Sequence, residues 1–172
     1  MRVAILGNSG SGKSTLANWL AQSANLAVLD LDSVAWEPDQ LAVARPSALA
    51  EADVAKFCTT HTRWVLEGCY GNLIEAAFQF RPFLIFLNPG LESCTAHCLN
   101  RPWEPHKYAS KQEQDANLQF LLSWVADYYT RDGPMSLGAH QTVFGKYPGR
   151  KVALERVPQL NPPEDEVLAW LR

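Results

Sequence analysis

The sequence lacks the features that mark membrane and secreted proteins. No apolar run approaches the roughly 20 residues of a transmembrane helix. The opening MRVAIL resembles the charged start of a signal peptide, but Gly7, Asn8 and Lys13 cut its apolar region short. The four cysteines form no C-x-x-C pair, so buried, reduced thiols are expected. We therefore expect a mature cytoplasmic chain that does not enter a membrane.

Two further absences weigh against other binding classes. The chain has no basic excess: its formal net charge is −3, and most Lys and Arg residues are scattered, which argues against a dedicated nucleic-acid binder. Cys94, His97 and Cys98 could share a helical surface and bind a metal ion, but no fourth ligand lies nearby in sequence. Repeats and low-complexity tracts are also missing. A length of 172 residues, 47% of them hydrophobic, suits one domain over residues 1–172.

The segment ILGNSGSGKST, from Ile5 to Thr15, contains the phosphate-binding P-loop pattern G-x-x-x-x-G-K-[ST] in full. Its glycines let the backbone curl so that the N–H groups point inward at phosphate oxygens. Lys13 is expected to reach the β- and γ-phosphates, and the Ser14 hydroxyl to bind Mg²⁺. The predicted nucleotide-binding residues are Gly7, Asn8, Ser9, Gly10, Ser11, Gly12, Lys13, Ser14 and Thr15.

The context of this motif predicts an α/β fold. Short apolar runs predict five strands, at residues 2–6, 26–31, 63–67, 82–87 and 150–157. Helical periodicity predicts the intervening helices, at residues 14–23, 47–59, 91–101 and 112–131, and Asn161 and Pro162 are typical of the start of a last helix. Such alternation implies a parallel sheet with helices on both faces, a three-layer αβα arrangement.

Polar residues follow the predicted strands, where ligands bind in parallel sheets. Asp30 and Asp32 end the second strand; we predict Asp32 as the base that orients the acceptor and Asp30 as a helper near Mg²⁺. Either carboxylate could serve the metal, or both could be solvated turn residues. Glu67 and Tyr70 follow the third strand and could contact substrate; Glu67 could instead serve Mg²⁺ or pair with a lysine.

Basic residues supply candidates for anion binding. Arg45 and Arg81 flank the predicted acceptor cavity in sequence, where either could clamp an anionic substrate or lie solvated on the surface. The segment RPWEPHKYASK could form a lid, about residues 101–112, that closes over a triphosphate and excludes water, or a proline-stiffened connection. In a lid, Arg101, Lys107 and also Arg131 would stabilise charge on the transferring phosphoryl group, with Lys107 close to the substrate.

Taken together, GNSGSGKST, LDLDSVAWEP, WVLEGCYG and RPWEPHKY resemble the P-loop kinase superfamily with the nucleoside-monophosphate-kinase fold. Within it the chain is similar to adenylate-kinase-like, shikimate-kinase-like and DNA topology modulation proteins. The resemblance spans nearly the full length and implies a five-stranded parallel core, ATP with Mg²⁺ and a mobile helical lid. It also implies an acceptor pocket around the helix that follows the second strand.

The sequence departs from the patterns of the individual subfamilies. Glu67-Gly68-Cys69 replaces the glycine triplet of shikimate kinases, and residues 112–130 lack the lid arginines of adenylate kinases. Asn88 follows the fourth strand where many P-loop ATPases have an aspartate, which moves the metal role to Asp30, Asp32 or Glu67. We therefore expect a small-molecule kinase that transfers the γ-phosphate of ATP to a hydroxyl or phosphate group. A nucleotide-dependent regulatory or nucleic-acid-associated ATPase is the alternative, and the sequence fixes neither the acceptor nor the oligomeric state.

Overall fold

The structure is a computed structural model that describes residues 1–37, 43–104 and 108–171. Its strands are β1 (Arg2–Gly7), β2 (Ala27–Asp30), β3 (Trp64–Gly68), β4 (Phe83–Leu87) and β5 (Lys151–Leu154). Its helices are α1 (Lys13–Ala24), α2 (Asp32–Ala35), α3 (Ser47–Thr60), α4 (Gly71–Ala76), α5 (Leu91–Leu99), α6 (Lys111–Ala116), α7 (Leu118–Asp127), α8 (Leu137–Lys146) and α9 (Asp165–Trp170). A short 3₁₀ helix spans Phe78–Phe80.

The five strands form one sheet in the order β2-β3-β1-β4-β5, and every pairing is parallel. Strand β1, which leads into the P-loop, therefore lies at the centre between β3 and β4. The sequence places β2 next after β1, but in space β3 intervenes. This order brings the end of β3, and with it Glu67, directly beside the strand that carries the P-loop.

Alternate residues of the central strand face two separate cores. Ala4 and Leu6 belong to a core that includes buried residues of α3, α4 and α8. Val3 and Ile5 point the other way, into a core completed by α1 and α9. Helices thus cover both faces of the sheet, and the predicted three-layer αβα fold is confirmed.

Two helix boundaries differ from those predicted. The single helix expected at 112–131 is two helices, α6 and α7, which meet at Asn117. The side-chain amide of Asn117 donates to the backbone oxygen of Glu113 at 2.9 Å, and local bonds of this kind compete with continuation of the helix. The prediction that Asn161 caps the last helix is wrong, because α9 begins at Asp165 after an isolated bridge between Leu160 and Pro163.

None of the helices in the described residues is long and apolar enough to span a membrane.

Candidate active site

The P-loop adopts a tight turn between β1 and α1 that requires glycine at three positions. Gly10 and Gly12 have φ angles of +76° and +92°, which side chains with a Cβ rarely adopt. A Cβ on Gly7 would lie 2.3 Å from the backbone oxygen of Leu87 on the neighbouring strand. The backbone amide of Ser11 closes the turn on the Asn8 oxygen at 3.2 Å. The glycine spacing of the motif is therefore a requirement of this turn.

The amino end of α1 opens into the same turn. No side chain caps it, because its N-cap is Gly12, and no acidic residue lies in its first turn. Ser14 and Thr15 are exposed there, whereas Lys13 is buried and its ammonium donates to the backbone oxygen of Asn8 at 2.9 Å. Uncapped N–H groups and the positive end of the helix dipole favour anionic groups such as phosphate oxygens at this point.

A hydrogen bond joins the P-loop to the end of β3. The Ser14 hydroxyl donates to Glu67 Oε1 at 2.6 Å, and Glu67 is only 4% exposed. Burial raises the pKa of Glu67 above its usual range; the Lys13 charge and the Ser14 bond oppose this, and Asp30 and Asp32 add to it. A hydroxyl and a carboxylate oxygen therefore meet at this point.

The two aspartates of LDLDS occupy the neighbouring strand end. Asp30 is the register partner of Glu67, and its Oδ1 accepts from the backbone amide of Asp32 at 2.9 Å. This bond fixes the turn from β2 into α2, so that Asp32 is the first residue of that helix. The sheet thus brings Asp30, Asp32 and Glu67 to one edge, as the sequence predicts.

Asp32 takes part in a chain of three side chains. Trp36 Nε1 donates to the Tyr70 hydroxyl, which in turn donates to Asp32 Oδ1, and both distances are 2.7 Å. The Trp36 and Tyr70 rings meet edge to face with centroids 6.4 Å apart. Burial and the Asp32 charge raise the pKa of Tyr70, so its phenol stays protonated and acts as the donor. One carboxylate oxygen of Asp32 is thereby held in a fixed direction.

A buried histidine, which no pattern in the sequence singles out, supports the loop that follows β3. His140 on α8 is fully buried, and its Nε2 lies 2.8 Å from the backbone oxygen of Cys69. Because a carbonyl can only accept, Nε2 carries the proton, and Nδ1 accepts from the Tyr128 hydroxyl at 2.9 Å. Burial lowers the pKa of His140 to about 4, so the ring is neutral at physiological pH.

Helices α5 and α7 pack directly on the P-loop. A Cβ on Gly10 would lie 2.3 Å from the Cys94 backbone oxygen, and His97 Nδ1 lies 2.7 Å from the Gly10 oxygen. On the other side, the Asn8 amide donates to the Val125 backbone oxygen at 3.0 Å. The described residues contain no group of three or more metal-ligating side chains, and Cys94 is buried against this loop.

Most of the predicted basic residues already have partners within the protein. Arg45 pairs with Asp53 at 2.7 Å and donates to the Val34 backbone oxygen. Arg131 donates to the backbone oxygens of Trp124 and Met135 and stacks on the Trp124 ring. Both guanidiniums hold helix and loop backbone in place, which is a structural role that the sequence pattern does not reveal.

The predicted lid is described at residues 101–104 and 108–112. Arg101 pairs with Glu104 at 3.1 Å, and Gln114 of α6 bonds both the Glu104 amide and the Pro102 backbone oxygen. Segment 101–104 is therefore attached to α6. The prediction for Lys107 lies outside the described residues.

Arg81 does not lie at this site. It precedes β4, at the amino ends of the strands, whereas the P-loop, Asp32 and Glu67 lie at the carboxyl ends. The prediction that Arg81 could clamp an anionic substrate at this site is wrong, and Arg81 is exposed, as in the alternative that the sequence left open. Its position in the chain between two site segments does not decide which end of a strand it occupies.

Comparisons with known proteins agree with this architecture. No protein-family model and no curated protein matches the chain by sequence. A sugar kinase from a Janibacter species superposes with a TM-score of 0.54 at 16% identity, covering 99% of this chain and 93% of that chain. A gluconokinase from Sinorhizobium meliloti gives 0.53 at 17%, covering 99% and 90%. Shikimate kinase from Aquifex aeolicus gives 0.54 at 17%, covering 99% and 96%. The chain thus has the P-loop kinase fold of the nucleoside-monophosphate-kinase type.

Proposed function

We propose that this chain is a phosphotransferase that moves the γ-phosphate of ATP to a hydroxyl of a small molecule. The observation that carries the proposal is the meeting of three groups at one sheet edge: the P-loop lysine, the Ser14–Glu67 pair and the oriented carboxylate of Asp32. A protein that only bound nucleotide would need the first two groups. The third lies at the same sheet edge, at the start of α2, and would there contact an acceptor.

The P-loop would hold the ATP phosphates. Its inward backbone amides and the uncapped α1 terminus fit phosphate oxygens, and Lys13 would leave the Asn8 oxygen to contact the β- and γ-phosphates. The turn is already formed by its glycines, so little ordering is left to binding. Without nucleotide, Lys13 therefore closes the turn through its bond to the Asn8 oxygen. With nucleotide bound, its positive charge would face the phosphates.

The donor set at Ser14 and Glu67 fits Mg²⁺. A hydroxyl and a carboxylate are hard oxygen donors, and Mg²⁺ is commonly held by one or two such groups together with water and substrate phosphates. When bound, Mg²⁺ would neutralise charge on the β- and γ-phosphate oxygens. We assign Ser14 and Glu67 to the metal, with Asp30 beside them, and keep Asp32 for the acceptor.

Asp32 would orient the acceptor hydroxyl and take its proton as the oxygen attacks the γ-phosphorus and ADP leaves. The Tyr70 hydroxyl donates a hydrogen bond to Oδ1 of Asp32. Because the carboxylate is planar, this bond also fixes the direction of its other oxygen. His140 fixes the Cys69 backbone between Glu67 and Tyr70 and so keeps the metal and acceptor groups in register. Positioning of this kind supplies much of the acceleration in phosphoryl transfer.

Residues 101–112 would cover the triphosphate, and Arg101 would exchange its bond to Glu104 for a phosphate oxygen as they close. The compared proteins are named for sugar, gluconate and shikimate, so hydroxyl-rich metabolites are the first acceptors to test. The comparisons give no support to a regulatory or nucleic-acid-associated ATPase. Use of ATP and four free cysteines fit a cytoplasmic location.

The deciding experiment is mass-spectrometric detection of phosphorylated products. Wild-type protein is incubated with ATP, Mg²⁺ and a pooled library of hydroxyl metabolites and nucleosides, with Lys13→Ala as the blank. The proposal predicts a product 80 Da heavier than a library member that is absent from the blank. If ATP is only hydrolysed slowly and no library member gains phosphate, the proposal gives way to the regulatory ATPase, which a gel shift at low salt then tests for nucleic-acid binding.

A further inference from the structure

Four arginines form a row along the edge of the sheet opposite the P-loop. Arg2 is the first residue of β1, Arg63 and Arg150 immediately precede β3 and β5, and Arg81 lies two residues before β4. These strands are neighbours in the order β3-β1-β4-β5. At about 4.8 Å between adjacent strands, the row is about 14 Å long. Each arginine thus lies at or within two residues of the start of its strand.

The row surrounds a cavity with a volume of about 410 Å³. All four arginines line it, together with Phe83 and Trp170, whose rings meet edge to face with centroids 5.8 Å apart. No acidic residue lines it within the described part of the chain. A volume of this size is in the range of small-molecule sites.

The guanidiniums are only partly satisfied by the protein. Arg63 donates to the Ala24 backbone oxygen at 2.6 Å and Arg2 to the Phe80 oxygen at 3.2 Å, so each uses one of its five N–H donors on a helix end. Arg150 stacks on the Phe83 ring at 4.4 Å. Among the described residues, none of the four forms an ion pair, whereas Arg45, Arg101 and Arg156 each pair with a carboxylate.

This cluster of positive charge contrasts with the net negative charge of the whole chain. Four of the 15 Lys and Arg residues are gathered at one cavity in a protein whose formal net charge is −3. Like charges at this spacing repel each other, and an anion of two or more charges placed among them would convert that repulsion into attraction. Planar guanidiniums also match phosphate oxygens in pairs, which favours a phosphate group over a single carboxylate.

We propose that this cavity is a second binding site, for a small phosphorylated anion, distinct from the P-loop. The first and last residues of β1 separate the two sites by about 17 Å along the strand, so one small ligand does not occupy both. A short row, a concave wall and an overall negative chain fit a small anion better than a nucleic-acid backbone, which needs an extended basic surface. The proposal does not depend on the kinase activity.

Isothermal titration with inorganic tripolyphosphate tests this site. The titration uses Lys13→Ala protein, so that the P-loop contributes little, and compares it with the same protein carrying Arg63→Gln and Arg150→Gln. The matched control carries Lys146→Gln and Arg156→Gln, which also removes two exposed positive charges but from residues that pair with glutamates. Thermal unfolding of all three proteins, with and without tripolyphosphate, shows that each is folded.

We expect one equivalent of tripolyphosphate to bind the Lys13→Ala protein. Affinity falls at least tenfold in the Arg63 and Arg150 variant and changes less than about twofold in the control. If the Arg63 and Arg150 variant fails to fold, Arg81→Gln takes its place, because the Arg81 side chain forms no hydrogen bond among the described residues. The affinity for tripolyphosphate should then fall about threefold or more. Equal losses in both double variants, or no binding to the Lys13→Ala protein, overturn the site.

Two further titrations fix the ligand chemistry. Citrate carries a comparable charge on carboxylates, and binding as tight as that of tripolyphosphate contradicts the phosphate assignment. A single-stranded oligonucleotide of about ten residues carries phosphate on a polymer. Oligonucleotide binding that is tighter than that of tripolyphosphate, and that is lost with Arg63→Gln and Arg150→Gln, would replace the small anion with nucleic acid.

Discussion

The Ser14 hydroxyl donates to the Glu67 carboxylate at 2.6 Å and so connects the first turn of α1 to the end of β3. In the sequence these residues are 53 positions apart, and they meet because β3 pairs directly with β1. Ser14 belongs to the P-loop motif, whereas Glu67 lies in the separate segment WVLEGCYG at the end of β3. This contact is the reason that we assign the metal role to Glu67 among the three carboxylates that the sequence left open.

Replacing Glu67 tests this assignment. Glu67→Gln keeps the size of the side chain and removes its charge, so the concentration of Mg²⁺ needed for half-maximal transfer should rise by roughly 10- to 100-fold. Steady-state rates over a Mg²⁺ series measure it. Asp30→Asn, on the neighbouring strand, is the matched control and should shift the requirement by less than about threefold. If Asp30→Asn has the larger effect, the metal role belongs to Asp30.

The raised pKa of Glu67 gives the same site a pH dependence. Because burial favours the neutral carboxyl, Glu67 takes up a proton at a higher pH than the usual value of about 4.3 for glutamic acid. The Mg²⁺ requirement of wild-type protein should therefore begin to rise on acidification while ordinary carboxylates are still charged. In Glu67→Gln this rise should vanish. A rise of equal size in the variant would assign the titration to another group.

Substitutions of Asp32 and Tyr70 should lower the rate of phosphoryl transfer without weakening ATP binding. Asp32→Asn removes the proposed base and should lower the rate of transfer by roughly 10²- to 10⁴-fold, while ATP affinity changes less than about twofold. Tyr70→Phe keeps the Asp32 carboxylate but removes the bond that orients it, together with the bond from Trp36 Nε1. Its loss should therefore be smaller and should appear in the same rate constant. Transfer rates and ATP titrations measure both. Normal transfer by Asp32→Asn would show that the acceptor is oriented elsewhere.

The fold was largely predictable, because its signals are local. Each apolar run predicted from the sequence became a strand of the sheet, and the P-loop pattern predicted both the turn and the helix after it. Helices α2, α4 and α8 were missed. The first two are only four and six residues long, and α8 carries two glycines that weaken its pattern. The break at Asn117 depends on one side-chain bond that periodicity does not report.

The site was predictable only in part, because its geometry depends on the order of the strands. Asp32 and Glu67 could be placed at the same edge, since both follow strands of a parallel sheet. Glu67 contacts Ser14 because β3 lies beside β1, and the order of the strands cannot be read from the sequence. His140 had no signal at all, since a single histidine within a helix is common and its partners lie on other elements.

Acid should destabilise the protein through His140. Its pKa is about 4 in the folded protein and about 6.5 when unfolded, so the unfolded chain binds more protons between these values and stability falls as pH decreases through that window. The contribution approaches about 3 kcal/mol near pH 4. Urea unfolding of wild-type protein and His140→Gln between pH 7 and pH 4.5 measures it. The decline should be shallower in His140→Gln, whereas His61→Gln, at the half-buried residue that follows α3, should decline like wild type. Parallel curves for all three would remove His140 as the cause.

Replacing a P-loop glycine with alanine should destabilise the protein, whereas the same replacement in a helix should not. At Gly10 an added Cβ meets backbone on α5 at 2.3 Å, and φ is +76°, so neither the loop nor the helix can yield cheaply. Gly10→Ala should cost roughly 1–3 kcal/mol and weaken ATP binding, because the strained turn moves the amides that contact phosphate. At Gly138, in the first turn of α8, nothing lies within 4 Å of the added Cβ, and Gly138→Ala should be neutral or stabilise by up to about 1 kcal/mol. Unfolding free energies and ATP titrations of the two variants give the comparison. Equal stabilities would mean that α5 does not constrain the P-loop.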